Sequence, residues 1–128
     1  MDVRVCNGTT LAYIGDAVMS LWVREMLIEE GWQKPKVLQK KSEAWVSARA
    51  QAVFIDKLLK EEFFNEEEVA VVMRGRNTKT DSMAKNATMR EYRMATGLEA
   101  VIGWLHLNKN QQRLDETFKR IKELGAIK

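Results

Sequence analysis

The chain has 128 residues, enough for one compact domain with a real core and too few for two. Hydrophobic residues make up 45% and charged residues 30%, the balance of a globular domain, and no apolar run approaches the ~20 residues of a membrane span. A formal net charge of +3 is too mild to mark a nucleic-acid binder by itself.

In chain order, residues 1–10 show no apolar rhythm and lack the basic-then-apolar layout of a signal peptide, so a loosely ordered lead-in is expected. The single cysteine, Cys6, has no internal disulfide partner, which fits a reducing cytoplasm. Leu11, Ile14, Val18, Leu21 and Trp22 follow helical spacing, with Gly31 as a stop just before Pro35. A second long helical pattern runs from about Val37 to Leu59 through Leu38, Trp45, Val46, Val53, Phe54 and Leu58. Asn65 followed by Glu68 forms a capping-box start for a helix carrying Val69, Val72 and Met73 and ending near Gly75. Arg76 to Ala87 has no apolar periodicity and reads as a loop. A fourth helix is expected over Met89 to Leu107. A last amphipathic helix starts at Asn110, carries Leu114, Phe118, Ile121 and Leu124, and closes at Gly125. Strand and hairpin signals are missing, so the expected fold is all-α, with residues 1–128 as a single domain.

Two acids stand out. Asp16 is the only charged residue between Leu11 and Val23, and Glu99 the only one between Met94 and Asn108. A carboxylate in a stretch built for burial needs a partner. Asp16, after Gly15, suits the cap of a helix beginning at Ala17. Glu99 suits a buried ion pair with Arg90 or Arg93. Alternatively the two acids meet at one divalent cation, since Mg²⁺ takes one or two carboxylates and completes its shell with water and phosphate oxygens. The residues alone leave all three readings open. From Arg74 to Lys85, four basic residues (Arg74, Arg76, Lys79, Lys85) face one acid, Asp81, whereas Glu61 to Glu68 carries five glutamates and no base. The basic stretch can supply sequence-independent attraction to phosphates. Lys40, Lys41 and Arg49 read as a solvated helix face, His106 as a packing or surface residue, and Tyr13 as core. Trp22, Trp32, Trp45 and Trp104 read as core or interface.

The run Leu11-Ala12-Tyr13-Ile14-Gly15-Asp16-Ala17-Val18 resembles the Gly-Asp-Ala signature of the ribonuclease III superfamily. Thr96-Gly97-Leu98-Glu99-Ala100-Val101-Ile102-Gly103 is similar to its second signature, which carries the other essential acid. Lys40-Lys41-Ser42, Val46-Ser47-Ala48, Arg74-Gly75-Arg76-Asn77 and Lys85-Asn86 are similar to the Mini-III subfamily, and the resemblance extends from Leu11 to about Leu124. It implies a ribonuclease III-like catalytic domain without a double-stranded-RNA-binding domain, working as a homodimer. It further implies a metal-dependent endoribonuclease that cuts duplex RNA to leave 5′-phosphate and 3′-hydroxyl ends. Mg²⁺ is the expected ion and Mn²⁺ its substitute, with Asp16 and Glu99 as catalytic metal ligands and Arg74, Arg76, Lys79 and Lys85 as RNA contacts. Expected partners are the large-subunit ribosomal RNA precursor and an accessory large-subunit ribosomal protein, in the cytoplasm and without a membrane. The fuller family pattern has two more acids, at positions occupied here by Ala12 and Thr96. That departure favours a rival reading, an inactive RNA-binding dimer; a protein–protein adaptor is the second rival.

Overall fold

The computed structural model describes residues 1–78 and 87–127, and these form six α-helices with no strand among the described residues. Asp2 caps a short 3₁₀ turn over Val3–Val5. Helix α1 (Gly8–Glu29) follows, then α2 (Pro35–Val46), α3 (Ala48–Lys60), α4 (Glu66–Arg76), α5 (Met89–Leu107) and α6 (Gln111–Leu124). Helix α5 runs through the middle, packed by α1, α3 and α4, with α6 against its far end. Leu98, Ala100, Val101, Ile102 and Leu105 on α5 are fully buried among Leu11, Met19, Phe54, Ile55, Leu58 and Val72 of its neighbours.

Helix ends follow local chemistry. Asn65 and Glu68 satisfy each other's backbone N–H groups in a capping box, as the spacing predicts, and Thr88 and Glu91 do the same for α5. Pro35 opens α2, where its missing N–H costs nothing. Gly31 adopts φ +100°, a turn conformation that glycine tolerates, just beyond α1.

Two expectations are corrected. Asp16 does not cap a helix: α1 begins eight residues earlier, capped by the Asn7 side chain accepting from the Thr10 N–H at 2.8 Å. The pattern from Val37 to Leu59 is two helices, broken at Ser47, whose backbone is extended (φ −62°, ψ 155°) and whose hydroxyl caps α3. A polar cap therefore interrupts what apolar spacing alone reads as continuous. Trp45 is buried and Trp22 stacks on Phe118 with centroids 4.6 Å apart, as core residues do. Trp32 instead lies outside the core beneath the Lys41 ammonium, 3.9 Å from the ring centroid. No helix is long and apolar enough to cross a membrane among the described residues.

Candidate active site

Asp16 and Glu99 meet because α1 and α5 cross where neither carries a side chain. A Cβ on Gly15 would overlap the Glu99 carbonyl oxygen, and one on Gly103 would overlap the Leu11 carbonyl. The two backbones touch at these glycines, so the acids beside them open into one cleft. The same device joins α4 to α5: a Cβ on Gly97 would stand 2.8 Å from the Val72 carbonyl oxygen and one on Gly75 2.8 Å from that of Thr96. The basic end of α4 is thereby drawn to the same side.

The cleft measures about 320 Å³ and is lined by Thr9, Ala12, Tyr13, Asp16, Thr78, Tyr92, Arg93, Thr96 and Glu99. Ala12 and Thr96, which stand where the fuller pattern has acids, both face it. The Thr96 hydroxyl donates to the Tyr92 carbonyl at 2.9 Å. A roomier cavity of about 890 Å³ lies between α2 and residues 126–127, lined by lysines, Trp45 and aliphatic groups. Volume alone does not mark hydrolytic chemistry; a close acid pair does.

The two acids differ sharply in environment. Asp16 is exposed on the cleft wall, although its neighbours in sequence are apolar. Those neighbours are partly exposed too: Tyr13 is 83% and Leu21 and Ile28 each 60% accessible. Tyr13 is thus a cleft and surface residue, not core. Glu99 is largely enclosed. Burial pushes its carboxyl up to about 9; hydrogen bonding to Asp16 and repulsion from it add to the rise, and a hydrogen bond from Gln51 opposes it. At neutral pH Glu99 is therefore held protonated.

Neither arginine considered as a partner for Glu99 forms that ion pair. Arg90 makes a two-point contact with Asp56 at 2.9 and 3.1 Å. Arg93 enters no ion pair among the described residues, and its side chain lines both the acid cleft and an adjoining cavity of about 550 Å³ that also holds Arg76 and Arg90. Arg76 is exposed and bonds the Asn77 side chain at 3.3 Å. Arg74 is exposed and donates to the Cys6 carbonyl at 3.0 Å, tying the lead-in to α4. Lys79 and Lys85 lie outside the described residues. Sequence reasoning missed Thr9, Thr78 and Tyr92; only the helical spacing of Tyr92, about two turns before Glu99, pointed at any of them.

A divalent cation suits this donor set. The Glu99 carboxyl, kept protonated chiefly by burial, would ionise against a double positive charge beside it. No cluster of three or more His, Cys, Asp or Glu is found among the described residues, and a cation held by these two carboxylates would have room for water and substrate oxygens.

The sequence profile of the ribonuclease III domain matches residues 9–110, the segment containing both acids. The chain is 42% identical to a Mini-ribonuclease 3 of Enterococcus faecalis, covering 97% of this chain and 95% of that protein. It is 45% identical to the Mini-ribonuclease 3 of Streptococcus pneumoniae, covering 90% of each. A crystal structure of a Fusobacterium nucleatum protein superposes with a TM-score of 0.84 at 29% identity, over 94% of this chain and 97% of that one.

Proposed function

The chain belongs to the ribonuclease III domain family and is an endoribonuclease of the Mini-ribonuclease 3 kind, and from that premise we propose that it cleaves double-stranded RNA at the Asp16–Glu99 cleft with the help of Mg²⁺. The observation that carries this reading is the meeting of the two lone acids in one cleft, on helices held in contact by Gly15 and Gly103.

Asp16 and Glu99 would hold the ion, whose chemistry is Lewis-acid activation of water and phosphate; Mn²⁺ is the natural substitute. The chain's own residues do the rest. Glu99, protonated near neutral pH without the ion, would release that proton to solvent in holding one beside Asp16. Arg93, which enters no ion pair among the described residues, lines the cleft, Arg76 lines the cavity beside it, and both suit phosphates. Arg74 belongs to the basic end of α4, and Lys79 and Lys85, outside the described residues, are proposed as further RNA contacts. Duplex RNA presents phosphates and 2′-hydroxyls across a wide, shallow minor groove, which such a cationic margin can follow without reading sequence.

The dimer is part of the proposal. Tyr13, Ala17, Leu21 and Ile28 form one exposed stripe along α1, an apolar face of the sort that a second copy of the chain covers. We extend the reading to the large-subunit ribosomal RNA precursor as substrate and to a large-subunit ribosomal protein as accessory partner. Processing of that precursor with and without the ribosomal protein tests the extension.

The direct test incubates the protein with duplex and single-stranded RNA, with Mg²⁺ or with chelator. Cleavage of the duplex alone, requiring Mg²⁺ and abolished by Asp16→Asn and by Glu99→Gln, is expected. Retained Mg²⁺-dependent cleavage in either purified variant would remove the assignment.

A further inference from the structure

Beside the acid cleft, and sharing Arg93 with it, lies the cavity of about 550 Å³ between α3, α4 and α5. Three arginines, Arg76, Arg90 and Arg93, meet there against one acid, Asp56. Asp56 accepts from both terminal nitrogens of Arg90, at 2.9 and 3.1 Å, which fixes that guanidinium and leaves its Nε–H unengaged among the described residues. Asn77 lines the same space, and its Oδ1 accepts from Arg76 Nε and Nη2 at 3.4 and 3.3 Å. A guanidinium only donates, so the Asn77 N–H₂ is the end turned away from Arg76, and it engages nothing else among the described residues.

The rest of the lining is apolar. Leu59 and Met73 are half-buried and Met94 is buried, so aliphatic and thioether groups share the cavity with the arginines. Phosphates of an unbroken duplex pass over a surface and need only its cations. An apolar cavity among cations suits a nucleotide whose base has left the stack. The phosphate takes the arginines, and the base rests on adaptable thioethers or a guanidinium plane with its edge open to an amide donor. A paired base cannot enter, because its neighbours cover both faces. The volume falls within the range of roughly 300–1,000 Å³ that small-ligand sites occupy.

We propose that this cavity receives one unpaired nucleotide of the RNA, its phosphate on Arg90 and Arg93 and its base against Leu59, Met73 and Met94 within reach of the Asn77 amide. Arg93 precedes Glu99 by six residues, roughly 9 Å along α5, so the held nucleotide lies beside the cut. The preferred substrate is then a duplex interrupted by an unpaired nucleotide near the cleavage point. The inference rests on the reading of the Asp16–Glu99 cleft only in placing that nucleotide beside the cut.

The test uses the whole protein in chelator, where binding is measured without cleavage. It compares fully paired RNA with duplexes carrying one unpaired nucleotide at successive positions. Wild type should bind the best of the interrupted duplexes about 10-fold more tightly than the paired one. In Arg90→Gln and in Asn77→Ala that ratio should fall toward one. The paired duplex is each variant's own reference, so a general loss of affinity does not imitate the result. Methyl NMR of the wild type gives a second readout: the Met73 and Met94 resonances should shift with the interrupted duplex and stay in place with the paired one. A ratio of one at every position, or a raised ratio that both variants keep, overturns the inference. Methyl shifts produced by free nucleoside monophosphates, with no preference among the duplexes, would make this a free-nucleotide site and overturn the assignment to RNA. A protein that prefers the interrupted duplex yet never cleaves with Mg²⁺ keeps the pocket and overturns the reading of the acid pair.

Discussion

Replacing Glu99 by Gln should stabilise the metal-free protein while destroying its activity. The Glu99 carboxyl stands near 4.5 in an unfolded chain and is pushed up to about 9 by burial and by Asp16 when folded. Between those values the folded chain binds more protons than the unfolded one, so its stability is greatest below pH 4.5 and is lost as pH rises toward 9. Each pH step in that window costs about 1.4 kcal/mol, so at pH 8 the loss could reach roughly 4–5 kcal/mol. Glu99 still reaches the water of the cleft, and screening there reduces the figure to about 2–4 kcal/mol. A glutamine has the same shape and no charge to desolvate. Its variant should therefore unfold on the order of 10 °C higher at pH 8, with the gap closing near pH 4.5. Thermal and urea denaturation in chelator, followed by far-UV circular dichroism from pH 4.5 to 9, measures the difference. Saturating Mg²⁺ should raise the wild type and leave the variant unmoved. A gap of zero at pH 8, or one independent of pH, refutes the account of Glu99 as a carboxyl destabilised by its surroundings.

Gly15→Ala forces a methyl group against the Glu99 carbonyl, a backbone atom that cannot swing away, and should cost about 3 kcal/mol or more in urea denaturation; a loss under 1 kcal/mol would contradict the close crossing. Glu68 is 2% accessible and held by Arg113 at 2.9 Å, so Arg113→Met should cost about 3–5 kcal/mol, whereas Arg4→Ala, at an exposed pair, should change stability by less than about 1 kcal/mol. Leu21→Glu on the exposed α1 stripe should convert a dimer to monomers in sedimentation velocity without unfolding the chain, and an unchanged dimer would place the interface elsewhere. Arg76→Ala should lower the slope of log affinity for duplex RNA against log salt by about 1, and an unchanged slope would mean that Arg76 touches no phosphate.

Much of the fold was legible because helical signals are local. The capping box at Asn65, the stop at Gly31 before Pro35 and the spacing of apolar residues mark several helix ends within a residue or two of their places. The break at Ser47 was not, since a serine cap inside an apolar pattern changes no periodicity. The acid pair was found by an argument only half right. Glu99 is enclosed, as its apolar neighbours suggest, but Asp16 is exposed among apolar residues that are themselves partly exposed. Meanwhile the acid most deeply buried, Glu68, was hidden within a run of glutamates and is satisfied by Asn65, Arg113 and its place in the capping box.

By itself, then, the sequence determined most of the helical segments, the glycines that punctuate them, and which two acids stand alone on them. Those properties depend on residues a few positions apart. Tertiary structure alone decided that Gly15 and Gly103 meet opposing carbonyls and that Arg90 pairs with Asp56 while Arg93 lines the acid cleft. An apolar period shows that a helix has a face to cover. Which partner covers it, and whether that face is core or surface, is settled only when the helices cross.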